Sequence, residues 1–190
     1  MTYKSKSKMF SIQKTVIAAL CIAVGVILPR VFHVFPAIML TFPNLNPGMV
    51  FLPMHIPVLL CGIICGFPYG VICGISVPII SHFMTGGIMP PSIFLPSMIC
   101  ELAVYGLFAG LLMYLPIKSY YKKMYVALTG SMLLGRIVYG ITQALLFDVG
   151  NYSTEIWVTT VFIMAIPGIA IQFAVIPPVI TALRINLRNL

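Results

Sequence analysis

Six apolar runs, at about 13–32, 48–66, 68–86, 93–116, 124–147 and 156–183, constrain this 190-residue chain more than any other feature. Runs near 20 residues match the roughly 30 Å hydrocarbon core of a bilayer at 1.5 Å rise per residue. None alternates apolar and polar residues with a period of two, so spanning helices fit and a membrane barrel does not. With 61% hydrophobic and 7% charged residues and a mean hydropathy of +1.09, a soluble globular domain is excluded. The expected architecture is an all-α membrane protein with six transmembrane helices, one integral-membrane domain over residues 1–190.

The net charge of +8 raises nucleic acid as a partner, but its placement argues for a role in topology. Lys4, Lys6, Lys8 and Lys14 precede or open the first run, Lys118, Lys122 and Lys123 share the expected loop 117–123, and Arg184 and Arg188 follow the last run. Six spans put both termini on one side, and all three basic clusters then fall in the cytoplasm, as orientation by positive charge requires. The basic start also fits a signal peptide, yet Leu28-Pro29-Arg30 follows the apolar run in place of a small-residue cleavage site. Cys21 follows Ala18-Ala19-Leu20, where a lipidated cysteine normally follows a small residue. The run is therefore read as an uncleaved first span.

Cys21, Cys61, Cys65, Cys73 and Cys100 all lie in apolar context, and Cys61 and Cys65 have helix-neighbour spacing, not that of a CxxC pair. They are expected to be buried free thiols, with no metal site or disulfide. Pro53, Pro57, Pro78, Pro96 and Pro167 fall inside the expected spans and should bend them. Gly62, Gly66, Gly70 and Gly74 recur every four residues and should pack spans two and three closely. No internal repeat marks an inverted-repeat transporter. The expected outer connections are 31–47, 85–91 and 148–155, and loops of this kind could close as a lid over a pocket.

Arg136 stands inside the apolar stretch Met124–Phe147, and Glu101 inside Ile93–Leu115. A permanent cation in a span costs roughly 2.5–3.5 kcal/mol on insertion scales, so an anionic partner is expected. Counted from the outer ends of their spans at 1.5 Å per residue, Glu101 lies roughly 12 Å deep and Arg136 roughly 16 Å. The two can therefore meet, either as a structural ion pair or as a site where Arg136 takes a ligand carboxylate. Both roles can coexist. Arg136, Tyr139, Gly140, Gln143 and Phe147 form one stripe at helical spacing, and Glu101 and Tyr105 are one turn apart. His55, between Pro53 and Pro57, is a further contact candidate, and His82 a weaker one. Gly130 to Arg136 imitates a phosphate loop but lies within a span with Arg in place of Lys, and Asn151-Tyr152-Ser153 is a sequon by pattern alone.

Six spans, Ala19-x-x-x-Ala23 in the first, a long first outer loop and the stretch Pro53-Met54-His55-Ile56-Pro57-Val58-Leu59-Leu60-Cys61-Gly62 together resemble the substrate-binding S component of an energy-coupling factor (ECF) vitamin transporter. The stretch is similar to one in the branch with pantothenate-type members. The resemblance implies a bacterial plasma-membrane protein that binds its vitamin from outside and is not an enzyme. It implies docking through Ala19 and Ala23 on a transmembrane coupling protein, two cytoplasmic ATPase subunits that use ATP, no cofactor in this chain, and delivery by toppling in the membrane. Asn44, Asn46, His55, Glu101, Tyr105, Arg136, Tyr139 and Gln143 are the candidate vitamin contacts. Pantothenate, with one carboxylate, two hydroxyls and an amide, suits one buried arginine among neutral polar groups. Hydroxymethylpyrimidine, pyridoxine, folate and cobalamin are the other vitamins considered, and a stand-alone secondary transporter is the reading from another class.

Overall fold

The computed structural model describes residues 2–34, 52–88, 90–146 and 166–188. Among these residues the chain is all helical: α1 (Thr2–Val34), α2 (His55–Cys65), α3 (Phe67–Met84), α4 (Leu95–Leu112), α5 (Tyr120–Leu146) and α6 (Ile166–Arg188). All but α2 contain segments long and apolar enough to cross a membrane. The burial pattern is that of a protein in lipid. Phe83 and Leu145 are each 76% exposed, while Glu101 and Arg136 are 2% and 5% exposed. Apolar side chains face outward and charged ones face inward, since lipid solvates the first and not the second.

The expected second span, 48–66, contains a helix of 11 residues, about 16 Å long and half of a bilayer core. Leu52 has φ of 49°, outside the helical region and strained for a side chain of this shape. Pro53 follows, so the helix begins only at His55, whose N–H donates to Leu52 O at 3.1 Å. The run reads as a span because it is apolar on every side, and the structure gives another reason for that composition. α2 packs against all five other helices, and a helix apolar all round belongs in a core. Val58, Leu59 and Cys61 are fully buried.

Other boundaries shift as well. α1 begins well before residue 13, and α5 begins at Tyr120, so Lys122 and Lys123 sit in its first turn and not in a loop. α6 is described from Ile166, and the expected segment 156–165 lies outside the described residues. Of the prolines expected to bend spans, Pro78 occupies a helix interior. Pro53 precedes α2, and Pro57 and Pro96 lie in first turns, where the missing N–H had no intrahelical partner to lose; Pro167 is the second described residue of α6. Pro29, Pro177 and Pro178 are interior.

The glycine repeat joins three helices, not two. A Cβ on Gly62 would lie 2.7 Å from Gly106 O, and Cβ atoms on Gly70 and Gly74 would strike Gly106 O and Leu102 O. The partner is α4, whose Gly106 and Gly110 complete the seam against Gly70 and Phe67. Close backbone approach of this kind is how helices gain dispersion energy where no hydrophobic effect pushes them together. Gly66 serves differently: at φ 95° it ends α2 and turns the chain into α3.

Cys61, Cys65 and Cys73 are buried free thiols as expected, Cys21 is partly buried, and Cys100 departs from expectation by being exposed on α4. No His, Cys, Asp or Glu cluster among the described residues could hold a metal ion. Arg30 Nη2 donates to Met84 O at 2.7 Å, tying the ends of α1 and α3.

Candidate functional site

α4 and α5 run antiparallel in a register fixed by small residues. A Cβ on Gly130 would meet Leu112, and one on Gly135 would meet the Tyr105 ring. One step further along, Glu101 faces Arg136: Glu101 Oε1 lies 3.4 Å from Arg136 Nη1. The same oxygen lies 3.4 Å from His55 Nε2, because α2 runs beside α4 and starts at this level. The His55 ring meets Tyr105 edge-on, with centroids 5.0 Å apart at 82°. On α5, Gln143 Nε2 donates to Tyr139 Oη at 2.7 Å. Thus His55, Glu101, Tyr105 and Arg136 form one buried cluster, and Tyr139 and Gln143 continue its face along α5. All six are buried. Asn44 and Asn46 lie outside the described residues, as do most of the first and third expected outer loops.

The cluster is charged but not closed. Both ion-pair contacts are longer than formed N–H···O bonds of 2.7–3.2 Å. Arg136 turns Nη1 to Glu101, while its Nε and Nη2 have no hydrogen-bond partner. Nε and Nη2 make up the side-on edge of the guanidinium, the fork that matches a carboxylate bidentately. Both His55 nitrogens, Glu101 Oε1 and Gln143 Oε1 are likewise buried without a hydrogen-bond partner. Leaving one such group unmade costs on the order of 1–3 kcal/mol, more for a charged one. One carboxylate and one guanidinium offset each other in charge, and the arrangement keeps a bidentate donor edge free for an anionic or strongly accepting group.

Two buried polar residues were not singled out in the sequence. Ser97 is fully buried one turn from Glu101, on the same face of α4, and its Oγ has no partner. Extending the Glu101–Tyr105 stripe back one turn would have found it. Gln172, 1% exposed on α6, has neither amide atom paired, and its signal was a lone amide within an apolar run. His82 proves structural: its Nδ1 lies 2.7 Å from Pro90 O, which a carbonyl acceptor permits only with the proton on Nδ1. With Gly87 N–H donating to His82 O at 2.9 Å, it fastens the 85–94 turn to α3.

A groove of about 620 Å³ between α5 and α6, lined by Tyr121, Tyr125, Phe173, Pro177 and Thr181 among others, is open and largely apolar. Tyr125 and Phe173 stack across it at 6.3 Å. It contains none of the cluster's charged groups and is not the candidate site. On α1, Ala19 and Ala23 are exposed, in one stripe with the exposed Val16, Leu20, Val24 and Ile27. The alanine pair therefore does not serve packing within the described bundle.

The family model for the ECF transporter, substrate-specific component, matches residues 13–180. No curated protein matches, and no solved structure does.

Proposed function

The chain belongs to the ECF transporter substrate-specific component family, and on that premise we propose that it is the high-affinity binding subunit for uptake of a carboxylated water-soluble vitamin, pantothenate being the best fit. Members of this family are the substrate-binding subunits of transporters, not enzymes, and work with a membrane coupling module and ATPases. In this reading two cytoplasmic ATPases hydrolyse ATP, this chain holds no cofactor, and the assembly sits in a bacterial plasma membrane with both termini of this chain inside.

The observation that carries the proposal is the free Nε–Nη2 edge of Arg136, buried beside Glu101. A structural ion pair would turn that edge to its own carboxylate. Here it remains for a second anion, with Glu101 and His55 placed to take up hydroxyl or amide donors. Hydroxymethylpyrimidine and pyridoxine have no carboxylate for that edge, folate has two to place and a large ring to stack, and cobalamin would need a much larger opening. Glu101 is the only carboxylate inside the described helices, so a secondary transporter would have to titrate the group that neutralises Arg136. Uptake that depends on ATPase partners would exclude that alternative.

Calorimetric titration of the purified protein with pantothenate, with mass spectrometry of any co-purified small molecule, tests the assignment. One-to-one binding is expected. A different vitamin in the preparation would replace the substrate and leave the class intact, and a protein that binds no vitamin would remove the proposal.

The exposed Ala19–Ala23 stripe is assigned to docking on the coupling protein, since small residues give a flat surface for another helix. Ala19→Trp is expected to leave vitamin affinity unchanged and to abolish co-purification with the coupling protein. Intact complex from the Trp variant would take α1 out of the interface.

A further inference from the structure

We infer that Ser97, one helical turn from Glu101, and Gln143, two turns from Arg136, form a second, neutral subsite, which reads an amide or hydroxyl on a solute bound with its carboxylate against Arg136. The inference rests on the carboxylate reading of Arg136 and adds the residue, the spacing and the direction in which the solute lies.

The register of α4 against α5 places the subsite. Leu112 stands opposite Gly130, Tyr105 opposite Gly135 and Glu101 opposite Arg136. Numbers fall along α4 as they rise along α5, so one further turn sets Ser97 level with Gly140, and Gln143 is the next residue on that face. Ser97 is fully buried and Gln143 is 2% exposed. Ser97 Oγ and Gln143 Oε1 both lack a hydrogen-bond partner. Ser131, mid-helix in α5, satisfies its hydroxyl on Leu128 O at 3.0 Å, whereas Ser97, in the first turn of α4, leaves its hydroxyl unpaired.

Gln143 is oriented from within its own helix. Its Nε2 is committed to Tyr139 Oη, which fixes the amide and leaves the carbonyl oxygen as an acceptor. Ser97 supplies a hydroxyl that both donates and accepts. The two together complement a group with one N–H or O–H and one acceptor, a secondary amide or an alcohol. The spacing agrees with this chemistry. Ser97 stands one turn, about 5.4 Å, from Glu101, and two methylenes separate the carboxylate of pantothenate from its amide, a span of roughly 5 Å. The charged end then lies at the Glu101–Arg136 level and the neutral body extends toward the end of the bundle formed by the start of α4 and the end of α5.

Ser97→Ala separates this role from a structural one. Calorimetry with pantothenate, pyridoxine, hydroxymethylpyrimidine and folate is run on the unaltered protein and the variant, alongside the melting temperature of each without ligand. The expected result is an unchanged or raised ligand-free melting temperature, since no bond within the protein is lost, with affinity for the bound vitamin reduced about tenfold. A ligand-free melting temperature lowered by several degrees would show that Ser97 is paired within the protein, and unchanged affinity would show that the solute does not reach it. Either overturns the subsite. Binding of pyridoxine or hydroxymethylpyrimidine in place of pantothenate removes the carboxylate assignment, and the Ser97 effect is then read on that vitamin. If the unaltered protein binds none of the four, both readings fall.

Discussion

Arg136→Ala is expected to abolish vitamin binding, with affinity for pantothenate falling at least about 100-fold, near 3 kcal/mol. The substitution removes the only described cation inside the bundle and with it the free Nε–Nη2 edge. It also leaves Glu101 with only the neutral or weakly basic Tyr105 and His55 beside it. A buried carboxylate deprived of its partner takes up a proton or destabilises the fold, and breaking such a pair costs about 3–5 kcal/mol. Loss of binding by the single variant could then reflect unfolding, so a second protein keeps the result interpretable. Arg136→Met combined with Glu101→Gln removes both charges, keeps similar volumes and is expected to fold with a melting temperature at or above that of the unaltered protein. It is expected not to bind. Calorimetry and thermal melting in the same detergent give both readouts, and a double variant that still binds pantothenate tightly would make the pair structural.

Gly106→Ala is expected to be the most damaging single methyl addition in the described bundle. A Cβ there would collide with the carbonyl of Gly70, which is backbone and cannot rotate away. Gly106 is also where α2, through Gly62, and α3, through Gly70, both approach α4. Moving α4 outward to admit the methyl would carry Glu101 away from His55 and Arg136 as well, since both contacts are made from α4. Overpacking of about 3 kcal/mol in a chain of this size corresponds to a fall of roughly 10 °C in melting temperature. Gly130→Ala is the matched control. Its Cβ would meet only Leu112 Cδ1 at 2.7 Å, the tip of a flexible side chain, and it should melt within a few degrees of the unaltered protein. Equal stability of the two variants would mean that the glycine seam is not what holds α4 in place.

The main line of the site was legible because burial of charge in a membrane is expensive. Arg136 and Glu101 stood out against apolar runs, and depth counting along two antiparallel helices brought them to one level. Tyr105, Tyr139 and Gln143 followed from the four-residue period. Ser97 and Gln172 were overlooked because a serine or a single glutamine is tolerable in a span, and only burial without a partner marks either as unusual. The second expected span, whose described part holds a helix of 11 residues, was less legible for a related reason. Length in an apolar run does not distinguish a helix that crosses lipid from one enclosed by other helices, and both exclude polar residues.

The sequence by itself determined that the chain is helical and lives in a membrane, that its charge lies mostly near helix ends, and that one cation and one anion are held within the apolar segments. These follow from local quantities: run length, period and the cost of an unpaired charge. Only the tertiary structure decided that α2 is a short core helix, that the glycine repeat closes on α4, and that Arg136 presents one edge to Glu101 and keeps the other free. Those depend on which backbones approach one another and on how a side chain turns. Helix packing in lipid is set by small residues meeting across helices that can be distant in sequence, and no single helix encodes its partner.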